Sequence, residues 1–152
     1  MLRKVLFFIL VLNFLQSCGF EPIYSIGKLK KINIENIELN GDWELNNFIR
    51  ASLLRYSSNK VSKKYNITIT TNYTENIISK DSTGNATNYE FIVEAKILVV
   101  SENFKKEFFF SEKFLMENFN DQLVKENYER SNKNNIANVI VNKLIIQITH
   151  LE

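Results

Sequence analysis

The chain has 152 residues, 45% hydrophobic and 24% charged. This is the length of one domain and the composition of a globular protein, which excludes wholesale disorder and fibrous repeats. Its formal charge of +2 comes from Arg3 and Lys4 near the amino terminus; without these two, 17 of the 19 basic residues face 17 acidic ones, so no global positive field exists and no nucleic-acid partner is expected. One cysteine and one histidine exclude a disulfide framework and the usual zinc sites.

Residues 1–17 read as a secretory signal peptide. Arg3 and Lys4 open it, Val5 to Leu12 form an apolar core, and Phe14 and Leu15 resume that core after Asn13. The run is shorter than the ~20 apolar residues of a membrane-crossing helix, which makes an uncleaved anchor the lesser reading. It leads into Leu15-Gln16-Ser17-Cys18, which resembles the lipobox of bacterial lipoproteins, with Gln16 a less usual middle residue. The resemblance implies cleavage between Ser17 and Cys18, diacylglycerol on the Cys18 thiol and acylation of the new amino terminus. Several acyl chains, at ~0.8 kcal/mol per buried methylene, hold a protein on a membrane without a protein span. The alternative is a buried core cysteine, the common fate of a free thiol. Gly19, where an acidic residue would retain the protein in the inner membrane, is similar to the outer-membrane pattern. Three Asn-x-Ser/Thr sequons, at Asn66, Asn72 and Asn85, read as chance matches in a chain rich in Asn and Thr.

A linker over residues 18–31, with Pro22, Gly27 and three lysines, precedes one domain over residues 32–152. Ile32, Ile34 and Ile37 predict a strand ending near the turn-forming Asn40-Gly41. Asp42 is a helix N-cap candidate, and Leu45, Phe48, Ile49, Leu53 and Tyr56 recur at helical spacing, which predicts a helix from Asp42 to Ser57. Tyr65, Ile67, Ile69, Thr71 and Tyr73 alternate with mostly Asn and Thr, so that strand buries one face. Ser79 to Asn88 is turn-rich and reads as a mobile loop. From Tyr89 the alternation resumes through Val99, and Ser101 to Lys106 reads as a hairpin. Phe108, Phe110, Phe114 and Met116 form a last alternating strand, interrupted by Glu112. Asn120 or Asp121 can cap a final helix, whose apolar stripe runs through Ile136, Val139, Ile140, Leu144 and Ile148 and whose polar first half, Asp121 to Asn135, is expected to project. The order is strand, helix, three strands, helix.

The inventory for catalysis is thin and points away from an enzyme. His150 sits at a terminus that tends to fray. Of the three aspartates, Asp42 and Asp121 read as helix caps, and no phosphate-cradling glycine motif occurs. Basic clusters are the better lead: Lys28, Lys30 and Lys31; Lys60, Lys63 and Lys64; and Lys105 with Lys106 beside Phe104. A lysine pair beside an exposed aromatic suits a phosphate-bearing amphiphile, while ordinary solvated surface is the plain alternative. Phe109 joins the hairpin candidates, because in Phe108-Phe109-Phe110 the middle ring points away from its neighbours and is either covered by a partner or exposed.

Cys18-Gly19-Phe20-Glu21-Pro22-Ile23-Tyr24 resembles the amino terminus of the LPS-assembly lipoprotein LptE family, with Ile23 in place of a leucine. The order of elements and the long terminal helix resemble that family in outline, while only this heptapeptide matches residue by residue. The resemblance implies an α+β fold with two helices on one face of a four-stranded sheet, in the order β-α-β-β-β-α. It implies an outer-membrane lipoprotein, anchored through Cys18 without a cofactor, that plugs an LptD-like β-barrel, assists its assembly and helps deliver lipopolysaccharide to the outer leaflet. Phe104, Lys105, Lys106 and Phe109 are the candidate lipopolysaccharide contacts. A periplasmic auxiliary lipoprotein of a phospholipid transport system is the alternative function, and a structural lipoprotein without a lipid ligand is a third.

Overall fold

The computed structural model describes residues 31–150. The signal peptide, the lipobox with Cys18 and most of the linker therefore lie outside the described residues. Six elements follow in chain order: β1 (Asn33–Asn40), α1 (Trp43–Leu54), β2 (Lys64–Lys80), β3 (Ala86–Val100), β4 (Lys105–Glu117) and α2 (Gln122–Thr149). The sheet order is β1-β2-β3-β4, with β1 parallel to β2 and the other neighbours antiparallel. A parallel neighbour cannot be reached by a tight turn, so α1 carries the chain back before β2 begins.

The expected α+β architecture is present, and its layering follows from period-two burial. Tyr65, Ile67, Ile69 and Thr71 of β2 and Phe91 to Val99 of β3 alternate buried with less buried positions. The buried set forms one core with Leu45, Ile49 and Leu53 of α1 and with the α2 stripe through Ile136, Ile140, Leu144 and Ile148. Both helices thus cover one face of the sheet. Glu112, the apparent interruption of β4, lies on that face and forms an ion pair with Lys143 of α2.

The start of α1 is locked by short-range chemistry. The Asp42 carboxylate accepts the Leu45 N–H at 2.7 Å, satisfying a donor that the helix cannot. Thr71 accepts the Asp42 N–H at 3.1 Å and donates to Asn46 at 3.0 Å, a buried polar link between α1 and β2. Gly41 has φ +102°, and a Cβ there would stand 1.9 Å from the Thr71 carbonyl oxygen. Only glycine lets the chain turn this tightly over β2. The helix stops at Leu54 rather than Ser57. Tyr56 bonds back to the Leu53 carbonyl, and residues 56–58 are drawn away by Ile32, whose N–H donates to Tyr56 and whose carbonyl accepts from Ser58.

Two expectations change. The mobile loop of Ser79 to Asn88 is largely strand, and only residues 81–85 turn between β2 and β3. The Asp81 carboxylate organises that turn by accepting the Thr83 hydroxyl and the Thr83 and Asn85 N–H groups, contacts that hold its pKa below the usual value. The polar first half of α2 is also tied to the sheet. It lies over an aromatic row in which Phe91 stacks between Tyr73 at 5.5 Å and Phe114 at 4.8 Å. Lys125 sits over the Tyr89 ring at 4.5 Å and Lys133 over the Tyr73 ring at 4.1 Å. Ammonium groups on aromatic faces replace the aliphatic packing used further along the helix.

Candidate functional site

The strands run so that the β3–β4 hairpin, the loop before β2 and residue 31 share one end of the domain: Val100 pairs with Lys105 and with Asn66, and Asn33 pairs with Lys64. At this hairpin end Phe104 is half-buried, 6.1 Å from the Tyr65 ring, and Lys63 lies over it at 5.0 Å. Lys106 points to the helix side, over the Phe108 ring at 5.4 Å. Lys105, one residue earlier, faces the opposite side with Phe109, which is 65% exposed. The four hairpin candidates therefore share one end of the domain but not one pocket. The link from Lys63 to Phe104 spans forty-one positions of sequence, and the only sequence signal for it was the basic cluster at Lys60, Lys63 and Lys64.

The helix-free face of the sheet is the second surface. Along β2 its positions are Asn66, Thr68, Thr70, Asn72, Thr74 and Asn76, a row of uncharged hydrogen-bonding groups. Beside it, Lys96 pairs with Glu107 at 3.0 Å, Lys113 pairs with Glu90 at 3.0 Å, and Asn72 donates to Glu94 at 3.2 Å. Phe109 stands next to Lys96 in register. The face is polar along β2, while β3 and β4 add half-buried Ile92, Leu98 and Val100 and the exposed Phe109 and Leu115.

The far end carries an open groove of about 460 Å³ between the first turns of α2 and the ends of β2 and β4, lined by Ile78, Leu115, Met116, Phe119 and Tyr128 with Asn88 and Glu117 at its edge. Ile78 belongs to an irregularity of the β2–β3 register between Ile77 and Ser79, a local break that period-two reasoning does not signal.

The residues with reactive chemistry have structural tasks. Asp42 and Asp121 cap α1 and α2, and His150 closes α2. Among the described residues no group of three or more His, Cys, Asp or Glu could hold a metal ion, and no helix is long and apolar enough to cross a membrane. Two shifted acid–base groups, Tyr73 and Lys133, belong to one cluster where α1, α2 and β2 meet. Burial, followed by the charge of Glu129, raises the Tyr73 phenol well above its usual range. Burial lowers the Lys133 pKa, but Asp42, Glu129 and Glu44 outweigh it and leave that lysine above its usual value.

No family model and no curated protein matches the sequence. Solved structures do share its fold. Rare lipoprotein B from Shewanella oneidensis superposes with a TM-score of 0.52 at 16% identity, covering 76% of this chain and 98% of that one. A minor lipoprotein from Acinetobacter baumannii gives 0.51 at 9% identity over 74% and 93%. Lipoprotein B from Nitrosomonas europaea gives 0.51 at 13% identity over 86% and 90%. At these identities the likeness is one of fold, and these three proteins are lipoproteins.

Proposed function

We propose that this chain is a bacterial outer-membrane lipoprotein of the LptE type, acylated at Cys18, that plugs an LptD-like β-barrel, assists its assembly and helps deliver lipopolysaccharide to the outer leaflet. The observation that carries this reading is a coincidence of two independent features. The fold is that of rare lipoprotein B, which is LptE, and it follows a lipobox-like Leu15-Gln16-Ser17-Cys18 and the heptapeptide Cys18 to Tyr24. The helix-free face supports the plug reading, since Asn and Thr groups offer donors and acceptors to a polar barrel lumen without the cost of burying unpaired charge. Phe104, Lys105, Lys106 and Phe109 remain the proposed lipopolysaccharide contacts, with Lys105 and Phe109 presented together on that face.

The test is a mild-detergent pull-down of the full-length protein tagged at its carboxyl terminus, with mass spectrometry of the partners and of the amino-terminal peptide. An equimolar β-barrel and a triacylated Cys18 are the expected result. An unmodified Cys18 would refute the anchor. The far-end groove favours a second reading, the auxiliary lipoprotein of a phospholipid transport system, because about 460 Å³ falls within the range of small-molecule sites. Recovery of an inner-membrane transporter in place of the barrel would select it.

A further inference from the structure

We propose that, before the chain enters its barrel, the hairpin end of the domain docks on a bilayer surface of anionic phospholipid headgroups and so stands the sheet upright on its membrane, an inference that rests on the Cys18 anchor. The residues between 31 and 150 carry fifteen basic and fifteen acidic side chains, yet the charge is not evenly spread. Lys31, Lys60, Lys63, Lys105 and Lys106 gather at the hairpin end and have no ion pair among the described residues, and the one unpaired acid described beside them is Glu102. At the opposite end Asp81, Glu117, Asp121 and Glu126 face a single unpaired lysine, Lys80. The domain is an electric dipole whose positive end is the end from which residue 31 leaves.

Two further observations identify the occupant. Lys105 and Lys106 diverge to opposite sides of the sheet, and Lys63 is held over Phe104. Such an arrangement does not close on one phosphate group, but it suits a plane of them. The thirteen residue steps from Cys18 to Lys31 reach at most ~45 Å, a length close to the ~50 Å of the fifteen-residue β3. The tether alone would therefore let either end of the domain meet the bilayer, and charge selects the hairpin end. Lys28 and Lys30 of the tether outnumber its one acid, Glu21, and add to the same sign.

The experiment uses the acylated full-length chain reconstituted into vesicles of phosphatidylcholine alone or with one third phosphatidylglycerol. With Cys18 acylated, the substitutions S62C at the hairpin end and S82C at the far turn each provide a single thiol for a fluorophore, read by energy transfer to a headgroup acceptor. Phosphatidylglycerol should raise transfer from position 62 and not from position 82. The gain should vanish near 1 M salt, where the Debye length is ~3 Å. Lys60→Gln with Lys63→Gln should weaken docking roughly fivefold per lysine, with circular dichroism verifying the fold. Equal transfer from position 62 in both vesicle types overturns the proposal, as does a response found with lipopolysaccharide vesicles and absent with phosphatidylglycerol. A chain that fails to float with any vesicle refutes the anchor and this inference together, whereas flotation without a phosphatidylglycerol response refutes the inference alone.

Discussion

Lys133→Met tests whether the charged cluster between the helices holds the fold together. The Lys133 side chain is 8% exposed, with its ammonium 3.3 Å from Glu44, 3.3 Å from Glu129 and 3.8 Å from Asp42, above the Tyr73 ring. Methionine keeps the apolar stem and removes the cation, leaving three carboxylates close together. Removing one partner of a fully buried pair costs about 3–5 kcal/mol. Here the carboxylates are 23% to 32% exposed, so solvent screens part of the repulsion and the expected loss is about 2–4 kcal/mol. That corresponds to a fall in Tm of roughly 10 °C for a domain of this size. Urea unfolding followed by circular dichroism measures it, with Lys143→Met as the control. Lys143 is 50% exposed and pairs with one glutamate, so its loss should cost less than about 1 kcal/mol. Equal midpoints for the two variants would refute the reasoning. A partial recovery on adding Glu129→Gln to Lys133→Met would support it, because one repelling charge is then gone.

Gly41→Ala should destabilise by more than about 3 kcal/mol, from the positive φ and the clash with the Thr71 backbone, whereas Gly84→Ala, with φ +90° but open space around it, should cost about 1 kcal/mol; equal thermal shifts would contradict the contact argument. Stability should fall as pH rises above about 10. Tyr73 and Lys133 both hold their protons more tightly when folded, so the unfolded chain loses them first and is favoured in alkali. Tyr73→Phe, which removes the phenol donating to Glu129, should flatten that decline in unfolding curves taken between pH 8 and 11. Lys105→Glu with Lys106→Glu should weaken lipopolysaccharide binding while circular dichroism stays unchanged, and unaltered binding would remove the hairpin from the functional reading.

The strands and helices were legible because each buries one face, and burial of one face leaves a period in the sequence. Tyr65 to Tyr73, Tyr89 to Val99 and Ile136 to Ile148 all show it, and the caps Asp42 and Asp121 act within three residues of their own position. The lipobox and the heptapeptide are local strings as well, readable without a fold. Non-local contacts left no such trace. The first half of α2 has no apolar stripe and reads as a projecting rod, yet Lys125 and Lys133 lay it on aromatic rings from other strands. The turn at residues 81–85 looked like the middle of a long loop because Ser, Thr and Asn are turn formers, but the β2–β3 pairing extends the strands through them, and tertiary pairing overrides local propensity. The basic residues at the hairpin end come from three separate stretches of sequence. The order of the elements, their buried faces and the candidate anchor can all be read along the chain, because they depend on neighbours in sequence. That Lys63 meets Phe104, that Lys105 and Lys106 part company, and that the described residues, neutral in sum, carry opposite charges at their two ends became visible only in the folded domain, because those facts depend on which strand ends the sheet register brings together.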